Sequence, residues 1–329
     1  MGKNKGGIKE IIENSELQKA IDDYKIVGPR NADFLFPWLY TIYEKTYLPS
    51  IDINYKEKLS LDKTKLTIFD VLIDDLADNA RLRNKKLLEE AIRIPWNNKL
   101  NLENNYLFFT KKIWSDCINS IKNYPRYDEF RDIFYFDLDQ VLNSMRYSYL
   151  VNTSDFSSVI EDEMYLNHGV MVILHSDMDL MCSPNFNYSE LNKLRPILHW
   201  VQDIAHIGNM MNTYPKEIAE ADFSSPIISH GIRENLIKKS TVINHPEKAK
   251  EKLKPLVCQY EKRMEDNLKK IEENSDKIKS IDIYDFSKRL KDVWYAFIER
   301  EEYWLESECY NSKLKTKLSY NQDLKWVRM

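Results

Sequence analysis

The sequence predicts an all-α protein, and three observations support this class. Glycine is scarce, with only seven in 329 residues and three of those in the first seven positions. Neither a GxGxxG motif nor a Walker A loop can therefore be assembled. Apolar residues recur every three or four positions through most of the chain, as they do on helices. Prolines lie near the expected helix ends, at Pro49, Pro95, Pro125, Pro184 and Pro246.

The apolar stripes predict about ten helices. An early stripe ends at Tyr24, and the aromatic segment FLFPWLYTIY places Pro37 near the start of a second helix. Further helices are predicted at 61–79, 83–93, 103–123, 127–150, 160–182, 188–220, 224–240, 247–277 and 282–308. No Gly/Ser/Pro-rich linker divides the chain. We expect a disordered N-terminus at 1–12 and a single helical domain at 13–329.

Composition excludes several classes of protein. The net charge is −4 with both signs interspersed, which argues against a nucleic-acid partner. The four cysteines form no CxxC pair and indicate reduced thiols. No apolar run approaches the ~18–20 residues of a membrane span. The start, MGKNKGG, lacks the apolar segment of a signal peptide, so a cytoplasmic protein is expected.

The stretch VLIDDLADN crowds three carboxylates behind an apolar run. On a helix Asp74 and Asp78 lie about 40° apart around the axis and ~6 Å along it, while Asp75 points to the side. The preceding turns are apolar nearly all round, which indicates burial, and buried carboxylates need a cation. Mg²⁺ suits hard oxygen donors of this kind. The alternative is that the triplet ends a helix and faces water.

A second set of oxygen donors follows 135 residues after Asp74. Asn209, Thr213 and Glu217 are spaced i, i+4, i+8 and form one stripe on a helix. Their amide, hydroxyl and carboxylate groups can together hold one Mg²⁺, and Lys216 lies beside them to meet a phosphate. Taken alone, this pattern arises easily by chance.

Together the two motifs resemble those of the class I terpene synthases. The matching residues are Asp74, Asp75 and Asp78 in the first motif, and Asn209, Thr213, Lys216 and Glu217 in the second. The resemblance covers about residues 34–310. It implies an α-helical bundle around a central apolar cavity, in which three Mg²⁺ bind a linear prenyl diphosphate. Diphosphate then leaves, and the allyl cation cyclises and is quenched.

The sequence departs from that family's pattern in three places. Pro215 interrupts the second stripe and is expected to kink the helix. The family's diphosphate-sensing arginine, usually some 46 residues before the asparagine, is missing from DEMYLNHGVMV. Arg146 or His168 is the expected substitute, and Arg146→Lys is predicted to lower turnover at least tenfold. The family's C-terminal Arg-Tyr pair keeps only Tyr310. Gly169 is expected at the helix break that the family has near its reacting centre.

Ring faces stabilise cations, and Phe69, Trp200 and Trp304 are the predicted aromatic residues of the pocket. The small residues Ala77, Ala205, Gly208 and Ser176 favour the C20 geranylgeranyl diphosphate, giving a diterpene, over the C15 farnesyl diphosphate. A chain-elongating prenyltransferase and a non-catalytic helical scaffold with a degenerate synthase fold stay open as alternatives. So does the formation of a homodimer.

Overall fold

The secondary structure is helical throughout the part of the chain that the computed structural model describes, residues 15–79, 81–97, 103–154, 158–220 and 222–298. No strand occurs in these ranges, which confirms the predicted all-α class. The α-helices are α1 (Ser15–Val27), α2 (Ala32–Tyr43), α3 (Lys56–Ala77), α4 (Lys85–Ile92), α5 (Asn105–Ile121), α6 (Tyr127–Thr153), α7 (Val159–Tyr165), α8 (Val172–Met181), α9 (Leu191–Glu220), α10 (Pro226–Arg233), α11 (Lys239–Asn244), α12 (Pro246–Asn274) and α13 (Ile283–Ile298). The predicted disordered segment 1–12, Trp304 and Tyr310 lie outside the described ranges.

Two predicted helices are each divided in the structure. The segment predicted at 160–182 breaks between α7 and α8, where residues 166–170 form a 3₁₀ turn and Met171 has a left-handed φ of 58°. The segment predicted at 224–240 breaks between α10 and α11, where Asn235 also has a φ of 58°. Asparagine tolerates this conformation and commonly follows a helix end.

Two of the prolines within helices bear on the sequence predictions, which place Pro37 near a helix start and a kink at Pro215. Pro37 is the sixth residue of α2, and Pro215 lies in α9, which continues to Glu220. Proline lacks one backbone donor but does not stop a helix whose faces are packed against neighbours. Asn209, Thr213 and Glu217 therefore remain on a single helix.

Helix α3 is the centre of the bundle. Every residue from Leu59 to Ala77 except Asp74 is buried, and α3 packs against α1, α2, α4, α5, α6 and α8. One of its buried polar side chains, Asp62, is held by α5 and by the turn that follows α5. The Asp62 carboxylate accepts hydrogen bonds from the Ser120 hydroxyl at 2.6 Å and the Tyr124 hydroxyl at 2.7 Å.

The C-terminal end of α3 is held by an arginine. The guanidinium of Arg83 donates to the carbonyl oxygens of Ala77 at 3.1 Å and Asp78 at 2.7 Å. A cation at this position satisfies carbonyl groups that have no partner in the helix and complements the helix dipole. Arg83 thus fixes the turn that carries the aspartate motif.

Helices α9 and α12 pack side by side and carry a second hydrophobic cluster with α10 and α11. Arg263 of α12 binds both carboxylate oxygens of Asp203 on α9, each at 2.7 Å, and Asn267 adds a hydrogen bond of 2.6 Å. This bidentate contact aligns α9, which carries the second motif. Among the described helices none has the length and apolar character to cross a membrane.

Candidate active site

A cavity of about 400 Å³ lies inside the bundle and is bordered by α2, α3, α6, the α7–α8 break, α8, α9 and α13. Its apolar wall includes Leu35, Trp38, Leu39, Ile42, Met145 and Met171. Asp74 and Asp78 line it from α3, and Asn209, Thr213 and Glu217 line it from α9. The structure thus brings both sequence motifs to one cavity.

The three aspartates of the first motif do not face the same way. The side chains of Asp74 and Asp78 are 26% and 24% exposed, whereas that of Asp75 is 1% exposed. Asp75 points aside, as the helical spacing predicts, and accepts hydrogen bonds from the Tyr24 hydroxyl at 3.0 Å and from Arg30 Nε at 2.8 Å. Its assignment as a metal ligand stays a prediction, and in this structure it anchors the motif.

Arg30 is the cation beside the aspartates, and sequence reasoning missed it. Its Nη2 atom lies 2.6 Å from Asp74 Oδ2 and 4.0 Å from Asp78 Oδ2, while Nε binds Asp75. Burial acts to lower the pKa of Arg30, but the three aspartates outweigh it and raise that pKa well above its ordinary value. The sequence indicates that the buried carboxylates require a cation, but it does not indicate which residue supplies that cation.

Negative charge remains concentrated around Arg30. Asp70 and Asp222 join Asp74 and Asp78 in lining the cavity. Burial, followed by the charge of Asp74, raises the pKa values of Asp70 and Asp78 well above the ordinary range, and Asp222 raises that of Asp78 further. Oδ1 of Asp70 and Oδ1 of Asp78 are buried, and neither has a hydrogen-bond partner among the described residues. Such a cluster favours the binding of a further cation.

The second motif presents three oxygen donors along α9. Thr213 is buried and donates its hydroxyl proton to the Asn209 carbonyl oxygen at 2.8 Å, which leaves its oxygen able to accept or to ligate. Asn209 is exposed and Glu217 is partly exposed. Lys216 lies on the same helix, but its side chain is outside the described part of the structure.

These residues fit Mg²⁺ by their donor chemistry. In the described ranges no three His, Cys, Asp or Glu side chains are already gathered as a ligand set, and Arg30 holds Asp74 and Asp75. Carboxylate, amide and hydroxyl oxygens are nevertheless the donors that Mg²⁺ prefers. The orphaned Oδ1 atom of Asp78 on the cavity wall is the observation that supports this fit.

A solved structure has a similar overall arrangement of helices. The linalool/nerolidol synthase of Streptomyces clavuligerus, in complex with 2-fluorogeranyl diphosphate, superposes with a TM-score of 0.56 over 86% of this chain and 96% of that one. This chain has the class I terpene synthase fold. The sequence identity is 11%, so the likeness concerns the fold. No family model and no curated protein matches the sequence.

The break between α7 and α8 contains Gly169, where the resemblance to class I terpene synthases implies a helix break. Gly169 lines the cavity within the 3₁₀ turn between α7 and α8. A Cβ atom at this position would lie 3.4 Å from the Ser144 hydroxyl oxygen. The left-handed residue of the break is Met171 rather than Gly169. At Gly169 the break therefore presents backbone, rather than a side chain, to Ser144 of α6.

Four predicted site residues lie elsewhere in the terpene synthase fold. Arg146 contacts Glu89 at 3.4 Å and the side-chain oxygen of Asn143 at 2.7 Å. His168 packs near His199 and contacts Gln202. Phe69 packs against Trp114 with ring centroids 5.0 Å apart, and Trp200 borders the main core. None of the four is among the described residues that line the cavity, and their proposed roles stay predictions.

A glutamate lies where the resemblance leads us to expect the sensing arginine. Glu163 precedes Asn209 by 46 residues and forms an ion pair with Arg263. Because Arg263 also holds Asp203, it links α7, α9 and α12. The guanidinium in this region therefore comes from α12, and it faces a small neighbouring pocket rather than the main cavity.

His206 makes the stability of the protein sensitive to acid. It is buried beside Asp203 and Arg263, and burial lowers its pKa to about 4. The unfolded chain binds a proton near pH 6.5 and the folded chain does not, so stability falls as pH drops below 6.5. We expect a loss of about 2 kcal/mol between pH 7 and pH 5 from this residue. Urea unfolding of wild type and His206→Gln checks it, because the variant should lose that much less stability. An identical pH dependence would contradict the prediction.

Proposed function

We propose that this protein is a class I terpene cyclase, a Mg²⁺-dependent lyase that ionises a linear prenyl diphosphate, cyclises the cation and releases diphosphate. One observation carries the proposal: oxygen donors from α3 and α9 line a shared cavity that also has an apolar wall. The terpene synthase fold supports the same assignment. The neighbour's complex with a fluorinated geranyl diphosphate suggests that a prenyl diphosphate is the ligand class to test first.

The proposed roles follow from the position of each donor. Asp74 and Asp78 hold metal from α3, while Asn209, Thr213 and Glu217 hold it from α9. Three bound Mg²⁺ would supply the charge that neutralises the leaving diphosphate. Aromatic and aliphatic side chains of the apolar wall, such as Trp38, exclude water and stabilise cationic carbon.

Geranylgeranyl diphosphate is the first substrate to test and farnesyl diphosphate the second. Two of the small residues that favour the longer chain, Ala205 and Ser176, line the cavity. Its volume of about 400 Å³ lies in the range of small-ligand sites, ~300–1,000 Å³. Both substrates are therefore compared in one experiment.

The test is a diphosphate-release assay with each substrate, with and without Mg²⁺, followed by gas chromatography of the products. The expected result is Mg²⁺-dependent release accompanied by a cyclic terpene. Release only when isopentenyl diphosphate is added would indicate a chain-elongating prenyltransferase. If neither substrate releases diphosphate, the result favours a non-catalytic scaffold. A parallel preparation of Asp74→Asn controls for contaminating phosphatases.

Arg30 is an alternative to Arg146 as the arginine that binds the diphosphate. Arg30 lines the cavity and binds Asp74, so metal binding to that aspartate would release one edge of its guanidinium toward the diphosphate. Lysine keeps the charge but loses the fork. We expect Arg30→Lys to lower kcat/KM at least tenfold, about 1.4 kcal/mol, and to weaken Mg²⁺-dependent binding of inorganic diphosphate. If kcat/KM instead falls tenfold in Arg146→Lys and is unchanged in Arg30→Lys, Arg146 is the diphosphate-binding arginine, as the sequence predicts.

A further inference from the structure

The cavity-facing stripe of α3 continues as polar residues well away from the aspartate motif. Lys63, Thr67, Asp70, Asp74 and Asp78 all line the cavity, at steps of three or four residues. Lys63 precedes Asp74 by eleven residues, which places it about 16 Å farther along the helix axis. The cavity therefore has a second polar end, opposite the end where diphosphate would bind.

We call this end the polar floor, formed by Tyr43, Lys63, Thr67, His175 and Asp179. The Lys63 ammonium lies 2.6 Å from Asp179 Oδ1, and both side chains are almost fully buried. Oδ2 of Asp179 accepts the Leu48 amide at 3.0 Å, so the carboxylate is held on both sides. The ion pair offsets the lysine charge, which would otherwise repel a carbocation.

The hydroxyl groups of the polar floor form a directed chain. Thr67 donates its proton to the Lys63 carbonyl oxygen at 2.9 Å. The Tyr43 hydroxyl lies 2.8 Å from Thr67 Oγ1 and therefore donates to it. The oxygen of Tyr43 keeps its lone pairs free to accept a hydrogen bond from another molecule.

His175 supplies a buried acceptor next to this chain. Its ring packs edge-on against Tyr43, with centroids 4.7 Å apart. Nε2 of His175 is buried and has no hydrogen-bond partner among the described residues. Burial, then the charge of Lys63, lowers the pKa of His175 well below its ordinary value, so the imidazole is neutral near pH 7. A purely hydrocarbon neighbour would leave these polar groups unsatisfied, whereas a small polar molecule would pair with them.

We propose that the polar floor holds a water molecule that ends the reaction by adding to the carbocation, so that the product is a terpene alcohol. This inference rests on the proposed function. The water donates to Tyr43 and His175 and accepts from Lys63. A lone pair of its oxygen forms the new C–O bond, one O–H bond breaks, and His175 takes that proton. The carbocation becomes a neutral alcohol, and no oxidant is required.

The experiment is product analysis by mass spectrometry after turnover in H₂¹⁸O. The expected wild-type product is an alcohol that carries ¹⁸O. His175→Phe and Tyr43→Phe should each lower the alcohol-to-hydrocarbon ratio at least tenfold, a ratio that compares products of the same turnovers and does not depend on the overall rate. Tyr40→Phe is the matched control, because Tyr40 is buried one turn earlier on α2 and does not belong to the described cavity lining. It should keep the wild-type ratio.

The possible results separate this inference from the proposed function. Wild-type diphosphate release with only hydrocarbon products overturns the role of the polar floor and leaves the cyclase assignment intact. Alcohol formation that is unchanged in both the His175 and Tyr43 variants also overturns it. Absence of diphosphate release from either substrate overturns both, since no carbocation is then formed. The ¹⁸O result needs only the wild-type protein and so does not depend on the folding of any variant.

Discussion

Replacing Asp74 with asparagine should lower turnover of the prenyl diphosphate at least 100-fold, about 2.7 kcal/mol of transition-state stabilisation. Asp74 is the one residue between Leu59 and Ala77 on α3 that is not buried, and it faces the cavity with Asp78. Asparagine keeps the volume but lacks the negative charge that would hold Mg²⁺. The loss of charge also relieves repulsion with Asp70 and Asp78, so the fold should survive.

The measurement is kcat with saturating substrate, together with circular dichroism and thermal unfolding. Asp132→Asn is the control, because its side chain on α6 is 93% exposed and lies 3.4 Å from Arg131 Nε. It should behave as wild type. Normal turnover of folded Asp74→Asn would remove Asp74 from the site and leave Asp78 as the chief aspartate.

Replacing Glu217 with glutamine should lower turnover about as strongly as Asp74→Asn. Glu217 is the only carboxylate among the three donors of the second motif, and it lines the cavity with Asn209 and Thr213. Because α9 passes through Pro215 without ending, the three residues keep their i, i+4, i+8 spacing. Glutamine keeps an oxygen donor but not its charge, so a higher Mg²⁺ concentration should be needed for half-maximal diphosphate binding.

Titration of diphosphate binding with Mg²⁺ gives that value without relying on turnover. Glu265→Gln is the control, since Glu265 is exposed on α12. A structure with Mg²⁺ and diphosphate tests the ligand set directly. Direct ligation requires a Glu217 oxygen at ~2.1 Å from a metal, and a distance beyond ~3 Å from every metal would contradict the assignment.

The local features of the candidate site were predictable from the sequence. The spacing of Asp74 and Asp78 puts both on one helix face with Asp75 turned aside, and the structure has this arrangement. The helix break near Gly169 was expected because the segment resembles that of the class I terpene synthases. The aspartate spacing depends on residues close in sequence, for which helical periodicity is informative. The break does not follow from periodicity, which predicted one helix at 160–182.

Other parts of the site required the packing of the helices. Phe69 belongs to the core because α3 is buried on every side, so no apolar pattern distinguishes its cavity face from its core face. The polar residues of α3 from Lys63 to Asp78 have regular helical spacing, which the sequence shows. The sequence does not show that Lys63 is paired, because its partner, Asp179, is far away in the chain.

By itself the sequence determined the helical class, the two sets of oxygen donors and the resemblance to class I terpene synthases. Each of these depends on residue composition or on spacing within one helix. Only the tertiary structure decided that α3 and α9 share a cavity, that Arg30 neutralises aspartates 44 and 45 residues away, and that His175 meets Tyr43. Such contacts join residues on different helices, and their formation is governed by helix packing rather than by local periodicity.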